Sequence, residues 1–395
     1  MNSIPVSAGS PRDRPLHVLT LTPFYPTQSD DASGCFIAEP LVAMAERGML
    51  QTVFPVRPFH RGRVAPGTTA PPADFVRYLS IPGGWGLSTA GAFLFASILG
   101  QVRKLHQEKP IDVIHAHAPL PSGHAAMLVR RELGIPFLVS VHGLDAYSDV
   151  QVQGRPGQWC RRVAQLVYRS AARVICVSEH VRDAVLKGCP SAHTSVIYNG
   201  VDTKLFAPEP AGSGNVTVIL SVANLILTKG GALLLRAIHA IKDCHPAVRC
   251  EIVGSGVEHA RLRELTQQLQ IEDRVRFLGR LPRRELANAF RRCTLFALPS
   301  FYEGLGCVYL EAMASEKVAI GCRGQGIEEI IQHGRNGWLV EPQSVDDLAG
   351  GLATLLSDGG LRSAIAARGR QTILNALTVA HQAERLAAIY RETST

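Results

Sequence analysis

Residues 298–314 carry the densest chemical signal in the chain: Glu303 and Glu311 bracket a segment that contains Gly304, Leu305 and Gly306. An apolar run precedes this segment and helix-forming residues follow it, so the glycines fall where a strand hands over to a helix. Bare backbone N–H groups there can approach an anion, and the helix dipole favours negative charge at the same point. The spacing puts Glu303 before the helix and Glu311 about two turns inside it, so the two carboxylates can face different parts of one extended ligand. Residues 224–230 follow another apolar run and contain Lys229, an ammonium well placed for a phosphate at the carboxyl end of a parallel strand. Asn224 in the same stretch can donate a hydrogen bond but brings no charge.

Further candidates sit at other strand ends. Gly254 lies in a Val-Gly-Ser-Gly turn, and Arg280 and Leu281 follow Gly279 in a short loop. In the first half, Gly34 opens a helix-like stretch, and His142 and Asp145 form an H-G-x-D sequence directly after an apolar run. His115 and His117 alternate in a strand and are read as part of a cleft wall. Their spacing also suits two metal ligands, but no third carboxylate or Cys partner stands nearby, and no metal site is assigned.

These residues need a scaffold that presents loops at strand ends, and the chain has the rhythm for it. Short Val, Ile and Leu runs alternate with helix-like stretches twice over, the pattern of βαβ units around parallel sheets. Strands are expected at 16–22, 51–56, 112–115, 137–141, 174–177 and 194–197, then at 216–222, 249–253, 275–278, 295–298, 318–321 and 337–340. A length of 395 residues suits two such units. A loose tail (1–15), a first Rossmann-like domain (16–207), a Pro/Gly/Ser linker (208–214), a second Rossmann-like domain (215–375) and a final helix (376–395) packing back on the first domain complete the expected layout. The nearly uncharged run from residue 83 to 100 is too short for a confident span. It reads as a buried or inter-lobe helix, with contact at a membrane surface as the alternative.

Residues 298–314 resemble the family 4 glycosyltransferases of the GT-B fold, through the E-x7-E spacing of Glu303 and Glu311 and the surrounding P-S-x-x-E-G and E-A-M-A sequences. The resemblance extends from about residue 16 to 357, more specifically in the second half. It implies an α/β protein of two Rossmann-like domains with parallel sheets facing across a cleft. It further implies that Glu311 holds the ribose hydroxyls of a nucleotide-sugar donor and Glu303 meets the donor sugar near the reacting carbon. Gly304, Leu305 and Gly306 would present amides to the diphosphate, with Lys229 on the phosphates and the 279–281 loop beside the base. His142 would lie beside the donor sugar, and the Gly34 loop would face donor and acceptor from across the cleft. The family carries a basic residue where Asn224 stands, so Lys229 and the helix N-terminus must meet more of the diphosphate charge.

The remaining composition narrows the classes. Nine scattered cysteines without a C-x-x-C pair suggest neither a disulfide framework nor a zinc site and fit a cytoplasmic protein. The net charge of +8 is concentrated in the first half, with 20 Lys and Arg against 14 Asp and Glu up to residue 205. That balance favours acidic or phosphorylated partners, and no basic stripe with interleaved aromatics points to nucleic acid. No D-x-D cluster marks a metal-bridged diphosphate, so transfer without a cofactor or metal is expected, with retention of configuration implied by the resemblance. The expected partners are a nucleotide-sugar donor and a glycan or lipid-linked acceptor, with peripheral contact at the inner face of the cell membrane. A GT-B-shaped epimerase and a non-catalytic sugar-nucleotide-binding protein are the rival readings. A dehydrogenase is disfavoured because no first strand leads into G-x-G-x-x-G.

Overall fold

The computed structural model describes residues 14–65, 67, 71–73, 75–81, 86–146, 154–208 and 217–394. In chain order the first half contains β1 (His17–Thr22), α1 (Cys35–Ala45), β2 (Leu50–Pro58), β3 (Val76–Tyr78), α2 (Leu87–Glu108), β4 (Val113–His117), α3 (His124–Leu133), β5 (Phe137–Val141), α4 (Gly154–Ser170), β6 (Arg173–Cys176), α5 (Glu179–Gly188) and β7 (Thr194–Val196). The second half contains β8 (Thr217–Val222), α6 (Gly231–Ile241), β9 (Val248–Val253), α7 (His259–Gln268), β10 (Val275–Gly279), α8 (Arg283–Arg292), β11 (Leu295–Ala297), α9 (Cys307–Ala314), β12 (Val318–Cys322), β13 (Trp338–Val340), α10 (Val345–Ser357), α11 (Gly359–Ala376) and α12 (Val379–Thr393).

Each half builds one parallel sheet. The strand orders are β3-β2-β1-β4-β5-β6-β7 and β10-β9-β8-β11-β12-β13. Helices cover both faces of such sheets, which is why β1, β4, β5 and β12 are buried at every position, with His17, Thr20, Thr22, His115, His117 and Ser140 as buried polar residues among mainly apolar ones. The strand order reverses between β1 and β4 in one sheet and between β8 and β11 in the other. Connections leave in opposite directions at such a point and open a crevice at the carboxyl ends, where ligands of open α/β sheets bind. The loops after β1, β4, β8 and β11 therefore hold the positions from which chemistry can be done.

Helix α12 leaves the second unit and packs against α1 in the first. Ala383, Leu386, Ala387 and Tyr390 join Ile37, Leu41 and Met44 in one apolar cluster, and Val201 pairs with Thr378 where the chain crosses. Two parts of the expected layout fall largely outside the described residues: the tail up to residue 13 and the linker from residue 209 onward. Arg14, at the end of that tail, is paired with Asp112 at 2.8 Å. Of the 83–100 run, residues 83–85 lie outside the described residues. The remainder starts α2, which buries Ala90, Gly91, Leu94 and Ile98 against the first unit. Among the described residues no helix is long and apolar enough to cross a membrane. Strand β3 was not expected from the sequence: three edge residues with Arg77 in the middle are too few to show an alternation.

Candidate active site between the two sheets

The loop after β11 is tied to the loop after β8 before any side chain of interest is reached. Phe301 N and Ser300 Oγ both donate to the Thr228 carbonyl, at 3.0 and 3.1 Å. This seam brings Lys229 and Glu303 together: Lys229 Nζ donates to Glu303 Oε2 at 2.6 Å, with both side chains mostly buried. Glu303 N in turn donates to the Gln325 side-chain oxygen at 3.0 Å. Gly306 precedes α9 in a left-handed conformation (φ +79°), and a Cβ there would lie 2.6 Å from the Tyr309 ring. Only glycine fits that turn. The helix begins at Cys307 with no side-chain cap, so its first amides and its dipole face the same space as Lys229. Glu311 is therefore one turn into the helix rather than two, because the glycine turn reaches closer to it than the spacing suggests. Its side chain is buried, and so is Leu305.

The first sheet supplies the opposite wall. Asp145 Oδ1 accepts from the backbone N–H groups of His142 and Gly143, at 2.8 and 2.9 Å, so this carboxylate shapes the loop that presents His142. Burial raises the Asp145 carboxyl to about 6. His142 Nε2 and His117 Nδ1 share a hydrogen bond of 3.1 Å, with the rings stacked, and Phe36 lies edge-on to His142 at 4.9 Å. His115 is held between Tyr390 Oη at 2.6 Å and Ser140 Oγ at 2.7 Å. Burial lowers all three imidazoles, His115 to about 3 and His142 to about 4, so they are neutral near pH 7. The two walls touch: a Cβ on Gly304 would stand 2.4 Å from the His142 carbonyl oxygen, and Ser178 Oγ donates to the Gly304 carbonyl at 2.6 Å.

Comparison with known proteins decides what this crevice belongs to. Residues 205–372 match the family described as Glycosyl transferases group 1, and residues 42–205 match Glycosyltransferase Family 4. The chain belongs to the family 4 glycosyltransferases. Among relatives of this glycosyltransferase, an uncharacterized glycosyltransferase of Methanocaldococcus jannaschii is 28% identical over 68% of this chain and 72% of its own length. A D-inositol 3-phosphate glycosyltransferase of Nocardiopsis dassonvillei is 27% identical over 85% of this chain and 84% of its own. The fold is that of sucrose-phosphate synthase from Thermosynechococcus elongatus, with a TM-score of 0.80 at 21% identity over 95% and 98% of the two chains. Anabaena HepE, solved in complex with UDP-glucose, gives 0.76 at 23% identity over 95% and 100%. The two sheets are thus the GT-B pair, and the protein is an enzyme of the hexosyltransferase type.

In this glycosyltransferase the sequence candidates divide into groups. Lys229, Glu303, Gly304, Gly306, His142 and His117 meet where the walls touch. Gly34 opens α1 against the Phe24 backbone, and Gly254 N donates to the Gly279 carbonyl at 2.7 Å beneath the 279–281 loop. Leu281 packs against the apolar core. The Arg280 side chain turns to Asp30 of the first unit, at 3.0 Å, and Asn224 is exposed. Among the described residues no three His, Cys, Asp or Glu side chains gather to hold a metal. Sequence reasoning assigned no role to Arg283, whose guanidinium joins Glu311 to Glu39 of α1, or to Glu329, which accepts from Glu179 N and His180 N of α5 at 2.8 and 2.7 Å. Glu39 is 244 positions from Arg283, and Glu179 and His180 are about 150 from Glu329, so no local pattern marks these cross-unit contacts.

Proposed function

We propose that the enzyme transfers a sugar from a nucleotide-diphosphate sugar to a glycan or lipid-linked acceptor, with retention of configuration and without a metal. The observation that carries this reading is the Lys229–Glu303 pair beside the uncapped N-terminus of α9. A cation, free helix amides and a carboxylate converge there on space that suits a diphosphate and the sugar attached to it. Departure of the nucleoside diphosphate breaks the bond from the anomeric carbon to phosphate oxygen, and Lys229 with the amides of α9 takes up the charge. Glu303 stands at the reacting centre, and the acceptor hydroxyl attacks from the departing side, as the family resemblance implies. His142, neutral and presented by Asp145, offers hydrogen bonds to the donor sugar. The HepE complex with UDP-glucose and the relative described as a GDP-mannose-dependent mannosyltransferase support a nucleotide-sugar donor.

A panel of UDP-, GDP- and ADP-sugars tests the reading. One donor should raise the thermal midpoint and release its nucleoside diphosphate at a rate that EDTA leaves unchanged. Stabilisation by none, or release abolished by EDTA and restored by a divalent ion, contradicts it.

A lipid-linked acceptor in a synthesis of cell-surface glycoconjugates fits the relatives from Mycolicibacterium smegmatis and Arabidopsis thaliana, a phosphatidylinositol monomannoside mannosyltransferase and a phosphatidylinositol N-acetylglucosaminyltransferase subunit. It also fits the first unit's edge. Phe59, Leu79, Ile81 and Phe93 are exposed large apolar side chains, Arg77 stacks on Phe59 at 4.7 Å, and Arg61 and Arg63 are exposed beside them. Apolar anchors among arginines suit the cytoplasmic surface of an anionic membrane. The protein should float with anionic liposomes and not with neutral ones, and absence from both fractions refutes the contact.

A further inference from the structure

Arg283 opens α8 with its side chain almost wholly buried between carboxylates from opposite lobes. Nη1 donates to Glu311 Oε1 and Nη2 to Glu39 Oε1, while the Phe206 ring lies under the guanidinium at 4.7 Å. The Arg283 backbone N–H donates to Asp31 Oδ1 at 3.0 Å, capping a helix whose own N-cap residue, Pro282, offers no side-chain acceptor. With the Asp30–Arg280 pair, three acids of the first unit hold the segment 280–283 of the second. The other oxygen of Glu311, Oε2, is buried and has no partner among the described residues.

That free oxygen needs an explanation, because a guanidinium beside a carboxylate favours the two-pronged geometry that covers both oxygens. Arg283 does not adopt it, since Glu39 draws its second arm away. We propose that Glu39, acting through Arg283, keeps Glu311 Oε2 open to a hydroxyl of the donor's ribose, so that closure of the first lobe raises the affinity of the second for nucleotide. The inference rests on the reading of Glu311 as the ribose-facing carboxylate, and it makes Arg283 and Glu39 positioning residues. When the lobes part, Glu39 withdraws, Arg283 turns both arms onto Glu311, and the nucleotide must share an oxygen that the guanidinium already engages, a weaker acceptor for its hydroxyl. Donor binding and closure are then reciprocally linked.

Calorimetry of the full chain with UDP, GDP and ADP identifies the nucleotide it prefers, and the same titration is then run on variants. Glu39→Gln should weaken that nucleotide about tenfold, the scale of one charge-assisted hydrogen bond. Turnover at saturating donor should change less than about threefold, because the loss is one of binding. Adding Arg283→Lys to Glu39→Gln should recover most of the affinity, since an ammonium is a point charge that cannot fork across both oxygens. A Glu39→Gln protein that binds as tightly as wild type overturns the proposal, and so does a double variant no better than the single one. Wild-type protein that binds none of the three nucleotides overturns the donor reading and this inference with it.

Discussion

The site depends on which groups are charged. Glu303 and Lys229 form an ion pair at 2.6 Å, whereas the three histidines of the facing wall are held neutral by burial. A histidine whose folded value lies below its unfolded value of about 6.5 binds fewer protons when folded, so its contribution is complete above that pH and is lost as the pH falls towards the folded value. For His142 the window runs from about 6.5 down to about 4. Asp145, raised to about 6, acts in the opposite sense as the pH falls below that value. The histidine effect is therefore read as a difference: between pH 7 and 4.5 the wild type should lose more stability than His142→Asn, by at most about 1.4 kcal/mol per pH unit. Denaturant unfolding across that range checks it, and parallel curves for the two proteins contradict it.

At the scale of elements, what the sequence disclosed and what it withheld separate by distance along the chain. Strand β5 has the expected bounds, and the other expected strands start or end within two residues of the observed ones, because buried parallel strands announce themselves as local apolar runs. The E-x7-E segment, Lys229 and His142 were legible for the same reason: each stands at the end of such a run. Edge strand β3 escaped, being too short to show a period. The start of α9 lies about a turn later than expected, because Gly306 takes a left-handed turn and the helix begins only at Cys307. Arg283 was invisible because its partner Glu39 is 244 positions away. Helix capping across the cleft shares this property. Asp31 of the first unit caps α8 of the second, and Glu329 of the second accepts from the first two amides of α5 in the first. Each unit thus supplies acceptors to a helix terminus of the other, in α5 adding to the cap that its own Ser178 gives Val181 N, and both contacts exist only when the lobes meet.

For the whole molecule, two parallel sheets place their reversal points opposite each other, and α12 fastens the second unit to the first through the cluster around Tyr390. Tyr390 also bonds His115, so the returning helix reaches the strand that carries His117. On the function proposed above, the second unit binds the donor nucleotide and the first faces the acceptor, with Glu303 at the seam. The division of labour at that seam is the central claim, and Glu303→Gln tests it most directly. Once the preferred donor is known, its dissociation constant and the single-turnover rate of transfer are measured for wild type and variant. The amide keeps the shape and a hydrogen bond to Lys229 but loses the charge. The account predicts a dissociation constant within about threefold of wild type and a rate lowered at least about a hundredfold, the pattern of an interaction made at the transition state. A dissociation constant raised as much as the rate is lowered would instead make Glu303 a general donor-binding residue and contradict the account.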